Sequence, residues 1–158
     1  VCSSDLGLAL GVGVNYSLTI PDIDSIERFP LVKALFGSDV TNQPKDLEAS
    51  LKELNPYLEA KPGYQWGALG AEISTLETFR GFFLLIVILG TTGNFTWELC
   101  LLAILKMSDP KSEVYNIELV FKVLIAWYGL KVEIKITQSS FVLDKKLLLR
   151  GKIGRAHV

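Results

Sequence analysis

From Leu8 to Ile20 large apolar residues alternate with small or polar ones without a break. Leu8, Leu10, Val12, Val14, Tyr16, Leu18 and Ile20 share one parity, and Ala9, Gly11, Gly13, Asn15, Ser17 and Thr19 the other. A period of two over this length predicts a β-strand with one greasy face and one very small face. The small face points to close approach by another backbone, or to sharp twist. Pro21 ends the strand, and Asp24 is placed to cap a short helical piece. Phe29-Pro30-Leu31-Val32 leads to Ala34-Leu35-Phe36 and a stop at Gly37. Pro44 suits a first helical position, and Leu47, Leu51, Leu54 and Leu58 recur at four, three and four residues. That spacing predicts an amphipathic helix from Lys45 to Asn55. Pro56 and Lys61-Pro62-Gly63 close it, so residues 22–63 read as a helical insert between strands.

Strand patterning then returns. Gln65 to Thr75 is a strand with a small-residue face, and Phe82 to Leu89 is a continuous apolar run. Gly90-Thr91-Thr92-Gly93-Asn94 turns the chain into a second apolar strand, Phe95 to Lys106. After Asp109-Pro110-Lys111, the segment Val114 to Trp127 puts Ile117, Leu119, Phe121, Val123, Ile125 and Trp127 on one face. Leu130, Val132, Ile134 and Ile136 then alternate with Lys131, Glu133 and Lys135, a half-exposed strand. Gln138 to Leu149 reads as a last turn and a cut-off strand. The fold class is mainly β (α+β): an antiparallel sheet of about six to seven strands, with the helical insert holding essentially all of the helix. Strands that are apolar on both faces need cover on each side. One amphipathic helix covers only part of one face.

Gly81 to Leu105 carries a single charge, Glu98, and on hydropathy alone could be a transmembrane helix. Gly90 and Gly93 cut it into two strand-length halves, the first rich in Phe, Ile and Val. A β-hairpin is expected, with no transmembrane helix. A transmembrane barrel needs regular polar–apolar alternation in a helix-free meander, which this chain lacks.

Composition narrows the classes further. The chain has 158 residues, 49% of them hydrophobic and 21% charged, with a formal net charge of −1. That is enough for one domain with a real core and too apolar for disorder. The absence of a basic excess argues against a nucleic-acid partner. Two cysteines do not make a disulfide scaffold. The ends have an unusual relation. Val1-Cys2-Ser3-Ser4-Asp5 can be written GTG TGC TCT TCC GAT, and Ile153 to His157 can be encoded by its reverse complement. Residues 1–6 and 152–158 therefore read as translated sequencing adapter, leaving 7–151 as a single piece of a larger β-rich domain. Removing Asp5, Lys152 and Arg155 takes the charge from −1 to −2, and His157 was the only histidine.

Candidate chemistry is sparse. Gly11-Val12-Gly13 fails as a dinucleotide fingerprint because the third glycine would fall at Tyr16. Asp22 and Asp24 could face a hard cation, but no further acids follow at calcium-loop spacing, and a turn-and-cap role is expected. Glu72, Glu77 and Glu98 are the acids nearest the apolar strands; two of them could form an acid–base pair, or they are edge carboxylates paired with Arg80. Cys100 has no histidine in 7–151 to activate it and reads as a small core residue. Trp66, Trp97 and Trp127 read as core anchors at the sheet edges, with a ligand-stacking surface as the alternative. Asn15-Tyr16-Ser17 and Asn94-Phe95-Thr96 match the glycosylation acceptor pattern. No catalytic, cofactor-binding or metal-binding residue is assigned, and no cofactor is expected.

Phe29-Pro30-Leu31-Val32, then Gly63-Tyr64-Gln65-Trp66-Gly67-Ala68-Leu69-Gly70 and the apolar strand closing at Gly90, resemble an uncharacterised domain found in very large bacterial and fungal proteins. Ser139-Ser140-Phe141-Val142-Leu143-Asp144, with Leu149-Arg150-Gly151 after it, resembles a later segment of the same family. Glu98 and Cys100 stand where that pattern has plain apolar or small residues. The resemblance implies an internal slice of a longer β-rich chain and brings no catalytic residues. The function expected is a non-catalytic structural or interaction module, with the rest of the parent chain as partner. The alternative is a curled sheet that binds an apolar, lipid-like ligand. A third possibility is an enzyme whose catalytic groups lie mostly outside this segment.

Overall fold

The computed structural model describes residues 4–36, 52–75, 78–108, 114–142 and 151–153. Its body is one antiparallel meander. Six long strands lie in chain order across the sheet: β1 (Ser4–Leu18), β2 (Leu58–Thr75), β3 (Phe79–Gly90), β4 (Thr96–Ser108), β5 (Tyr115–Ala126) and β6 (Gly129–Ile136). Two short strands add to it: β7 (Phe141–Val142) against β5, and β8 (Gly151–Ile153) against β6. Ser4–Leu6 pairs with Thr75–Ile73, and Lys152 and Ile153 pair with Lys135 and Ile134. The run from Gly81 to Leu105 is the β3–β4 hairpin; among the described residues no helix is long and apolar enough to cross a membrane.

The helical insert is smaller than the leucine spacing predicts. Its described part is a 3-10 helix at Ile23–Arg28, α1 at Pro30–Phe36, a helical turn at 52–54 and a 3-10 turn at Asn55–Tyr57. Most of the expected 45–55 helix, with Leu47 and Leu51, lies outside the described residues. Strand geometry resumes at Leu58 rather than after Gly63, because Leu58, Glu59 and Ala60 pair with Leu18, Ser17 and Tyr16 of β1. Pro62 sits inside β2 where neither neighbour pairs with it, so its missing N–H costs the ladder nothing. The cap of the first 3-10 helix is Asp22 rather than Asp24, and its backbone carbonyl accepts from Ser25.

The register shows which face is which. On the inner face Trp66, Ala68, Phe82, Leu84, Ile86, Ile88, Cys100, Leu102, Ile104 and Val120 are buried. The insert covers them with Ile23, Ile26, Phe29, Val32 and Leu54, and the Phe29 ring packs edge-on to Tyr57 at 5.0 Å. The greasy parity of β1 does not join this core. Leu8, Leu10, Val12 and Val14 are 67%, 79%, 73% and 61% exposed, on the outer face. The small parity of β1 is inward, and what it admits is an indole, not a backbone. Trp66 lies over Gly11 and Gly13, where a Cβ at Gly13 would stand 2.1 Å from its Nε1. Past Val14 the pairing slips at Asn15, whose φ is 61°, and Leu18 is then buried. The irregularity moves the apolar row to the other face. β6 is inverted in the same sense: Leu130, Val132, Ile134 and Ile136 lie in register with the outer residues of β5, and Lys131, Glu133 and Lys135 point inward.

Candidate functional site

No convergent set of reactive groups is found among the described residues. Glu72 pairs with Arg80 across the β2–β3 end of the sheet, as the sequence suggests. Glu98 is at the other end of β4, opposite Ile88, while Glu72 is opposite Phe82. Six residues of strand separate the two positions, about 20 Å, so they cannot share a substrate atom. Glu77 lies outside the described residues. Asp24 is held by Lys135 Nζ at 2.7 Å, and no three potential metal-binding groups stand together among the described residues.

Cys100 is fully buried and free. Burial pushes its thiol up to about 12. The thiolate is the nucleophile, so this sulfur is inert at neutral pH. Lys122 is also buried, and its Nζ donates to the Pro21 carbonyl at 2.6 Å, tying β5 to the start of the insert. Asn15 is structural: its Oδ1 accepts from the Gly63 N–H, and the Gly63 carbonyl accepts from Thr91. That chain of bonds pins the β3–β4 turn to the β1 irregularity.

A half-open polar depression of about 270 Å³ lies between the first 3-10 helix and the ends of β5 and β6, lined by Asp24, Glu27, Arg28, Glu118, Lys135, Thr137, Gln138 and Ser139. Several of its groups bond one another. Glu118 Oε2 accepts from Thr137 at 3.3 Å and Ser139 at 3.1 Å, and its backbone bonds Thr137 and Ser140. These bonds tie Glu118, Thr137, Ser139 and Ser140 into one stitched turn.

The outer face of the sheet is of another kind. Three rows cross all six long strands: Leu10–Leu69–Leu85–Leu101–Val123–Val132, Leu8–Ala71–Phe83–Ala103–Phe121–Ile134 and Val12–Gly67–Val87–Leu99–Ile125–Leu130. A fourth, Ile73–Gly81–Leu105–Leu119–Ile136, crosses five. No side chain in these rows can donate or accept a hydrogen bond. Leu10, Leu69, Leu85 and Leu101 are all exposed. Strand spacings of about 4.8 Å and row spacings of about 6.8 Å give a face on the order of 800 Å². The tryptophans do not form one surface. Trp66 is in the core with no partner for its Nε1, while Trp97 and Trp127 lie at one end of the outer face, Trp127 62% exposed. Phe95 and Tyr128 are exposed near them, and the Trp127 and Tyr128 rings meet edge to face at 5.4 Å. Sequence patterning exposes the doubly apolar strands but does not mark which side the insert covers.

Comparison with the curated proteins and with the solved structures finds no match to the chain. The model of one family does match, over residues 6–156, and by that match the chain belongs to a family of unknown function, DUF6603.

Proposed function

We propose that the chain is a non-catalytic structural or interaction module of a large, multidomain, β-rich protein, and that its bare outer face is the docking surface. The observation that carries this reading is the set of three unbroken apolar rows. Monomeric proteins rarely leave apolar patches larger than a few hundred Å² uncovered. A face on the order of 800 Å² is the size that one partner contributes to a standard interface. The backbone beneath is used up in the sheet ladder, so recognition has to be by apolar contact and shape. The separation of Glu72 from Glu98 and the buried, protonated thiol of Cys100 support the non-catalytic part. The resemblance to very large proteins supports the other half: another layer of the same parent chain is the natural cover.

A second reading, an apolar lipid-like ligand, has one observation in its favour. On the outer side of β2, Gly67 and Ala71 stand between the larger side chains of β1 and β3, and nothing lies within 4 Å of a Cβ placed at Gly67. Gly67 leaves a dimple between Val12 and Val87, bounded along β2 by the exposed Leu69, that the end of an apolar ligand would fill.

The test is a double variant, L85K/L101E, at two directly paired outer positions. Opposite charges across one strand pair keep the sheet stable. The wild-type chain is expected to bind the apolar dye bis-ANS and to associate, and the variant to lose dye binding with an unchanged far-ultraviolet spectrum. A wild type that binds no dye and stays monomeric would defeat the proposal. A fluorescent fatty acid that binds with fixed stoichiometry, and is blocked by G67W, would favour the ligand reading over the layer.

A further inference from the structure

We propose that the corner formed by Trp127, Tyr128 and Glu98, at the β5–β6 turn, is a binding site for a quaternary ammonium group such as the trimethylammonium of choline. This goes beyond the docking face and does not depend on it, since the corner lies past the ends of the apolar rows. Residues 90–98 and 126–129, which build it, are all described and internal to the chain. The hairpin itself needs neither ring. β5 and β6 are joined by two residues, Trp127 and Tyr128, between the paired Ala126 and Gly129. Turns this short are ordinarily built from glycine, asparagine or aspartate. Here Gly129, with φ 148°, supplies the conformational freedom, and Trp127 and Tyr128 stand 62% and 60% exposed. Their rings meet at 89° with centroids 5.4 Å apart, so the two faces bound a right-angled corner. Trp97 lies beside it, half-exposed, and its carbonyl accepts from the Trp127 N–H at 3.4 Å. The Tyr128 hydroxyl donates to Glu98 Oε1 at 3.4 Å, which puts a carboxylate at the end of one wall. Glu98 has no ion-pair partner among the described residues. Burial and the Glu98 charge both hold the Tyr128 hydroxyl above its ordinary pKa, so it stays a donor at neutral pH.

The chemistry of the corner selects its occupant. Ring faces carry the negative part of the aromatic quadrupole, and the carboxylate adds a full charge of the same sign. The corner therefore attracts a cation and repels an anion. A hard metal ion needs several oxygen ligands, and no three potential metal-binding groups stand together among the described residues. A primary ammonium brings three N–H donors, which two ring faces and one carboxylate leave incompletely bonded. A quaternary ammonium has no N–H to satisfy, and its methyl groups rest against both ring faces at once.

The experiment titrates the whole chain with choline chloride, against sodium chloride at matched ionic strength, in the L85K/L101E background to remove association through the outer face. Binding is read by saturation transfer from the protein to the choline methyl protons. The expected result is saturable binding with a Kd on the order of 1 mM. Trp127→Ala and Glu98→Gln should each weaken it about tenfold, and Trp127→Phe should retain part of it. Far-ultraviolet spectra confirm that each variant folds. The uncharged carbon isostere of choline, dimethylbutanol, should bind about tenfold more weakly to the unaltered corner, a comparison that needs no variant there. Phosphatidylcholine vesicles separate the two sources of the group. Co-sedimentation that requires Trp127 assigns it to a lipid headgroup, and choline binding without co-sedimentation assigns it to a free small molecule. No saturable choline binding would overturn the inference and leave the docking face intact. So would equal affinity for the neutral isostere, or binding indifferent to Trp127→Ala and Glu98→Gln.

Discussion

Gly13→Ala adds one methyl group to an exposed edge strand, a change that is ordinarily harmless. In a strand of ordinary extended geometry, replacing glycine by alanine stabilises by about 0.4–1 kcal/mol, through the unfolded state. At Gly13 the new Cβ would stand 2.1 Å from Trp66 Nε1, 2.6 Å from Cε2 and 2.9 Å from Cδ1. These atoms belong to a rigid ring packed in the core, not to the end of a flexible chain. Either the indole tilts or β1 lifts, and overpacking of this kind costs about 1–3 kcal/mol. The net expectation is a loss of roughly 1–2 kcal/mol, a fall in Tm of about 2–8 °C for a domain of this size. Gly67→Ala is the control on the neighbouring strand. It meets nothing within 4 Å and should be neutral or stabilising by up to about 1 kcal/mol. Urea unfolding followed by tryptophan emission reads both. Equal effects of the two substitutions, or a Gly13→Ala chain as stable as the wild type, would refute the close packing of Trp66 on β1.

Other consequences are measurable. In a Cys2→Ser background, Cys100 should resist thiol reagents in the folded chain and react on unfolding, and Cys100→Ala should cost about 1–2 kcal/mol by leaving a small cavity. Its raised pKa has a definite sign. The unfolded thiol ionises near 9 while the folded one holds its proton to about 12, so stability relative to Cys100→Ala falls as pH climbs through that window. Asn15→Ala should lose about 1–2 kcal/mol, since it removes both the acceptor for Gly63 and a residue type that tolerates φ near 61°, whereas Asn15→Gly should recover part of the loss.

The strands were legible because period two and the turn residues mark them without reference to the rest of the fold. Gly90 to Asn94 and Tyr128-Gly129 turn the chain where their composition implies. The side that each strand buries was not legible. Phe82 to Leu89 and the first part of β4 are apolar on both parities, so hydrophobicity assigns neither to the core. In β1 it points the wrong way: the larger residues are bare, because the smaller ones are needed beneath Trp66. The charged parity of β6 is inward for a comparable reason, since Lys135 meets Asp24 of the insert there. Pro62 reads as the end of a helix and is instead an unpaired position within a strand. The ion pair of Glu72 with Arg80 was accessible from sequence, their positions flanking one turn.

The central claim is that the outer face is an interface, and hydroxyl-radical footprinting tests it most directly. Labelling of Leu10, Leu69, Leu85 and Leu101 would be compared between this chain, kept dilute, and the same chain within the longer protein proposed to carry it. The account predicts that these four side chains are labelled in the isolated chain and protected in the longer protein, while Phe82 and Leu102 on the inner face are protected in both. Equal labelling of the four leucines in the two states would contradict it.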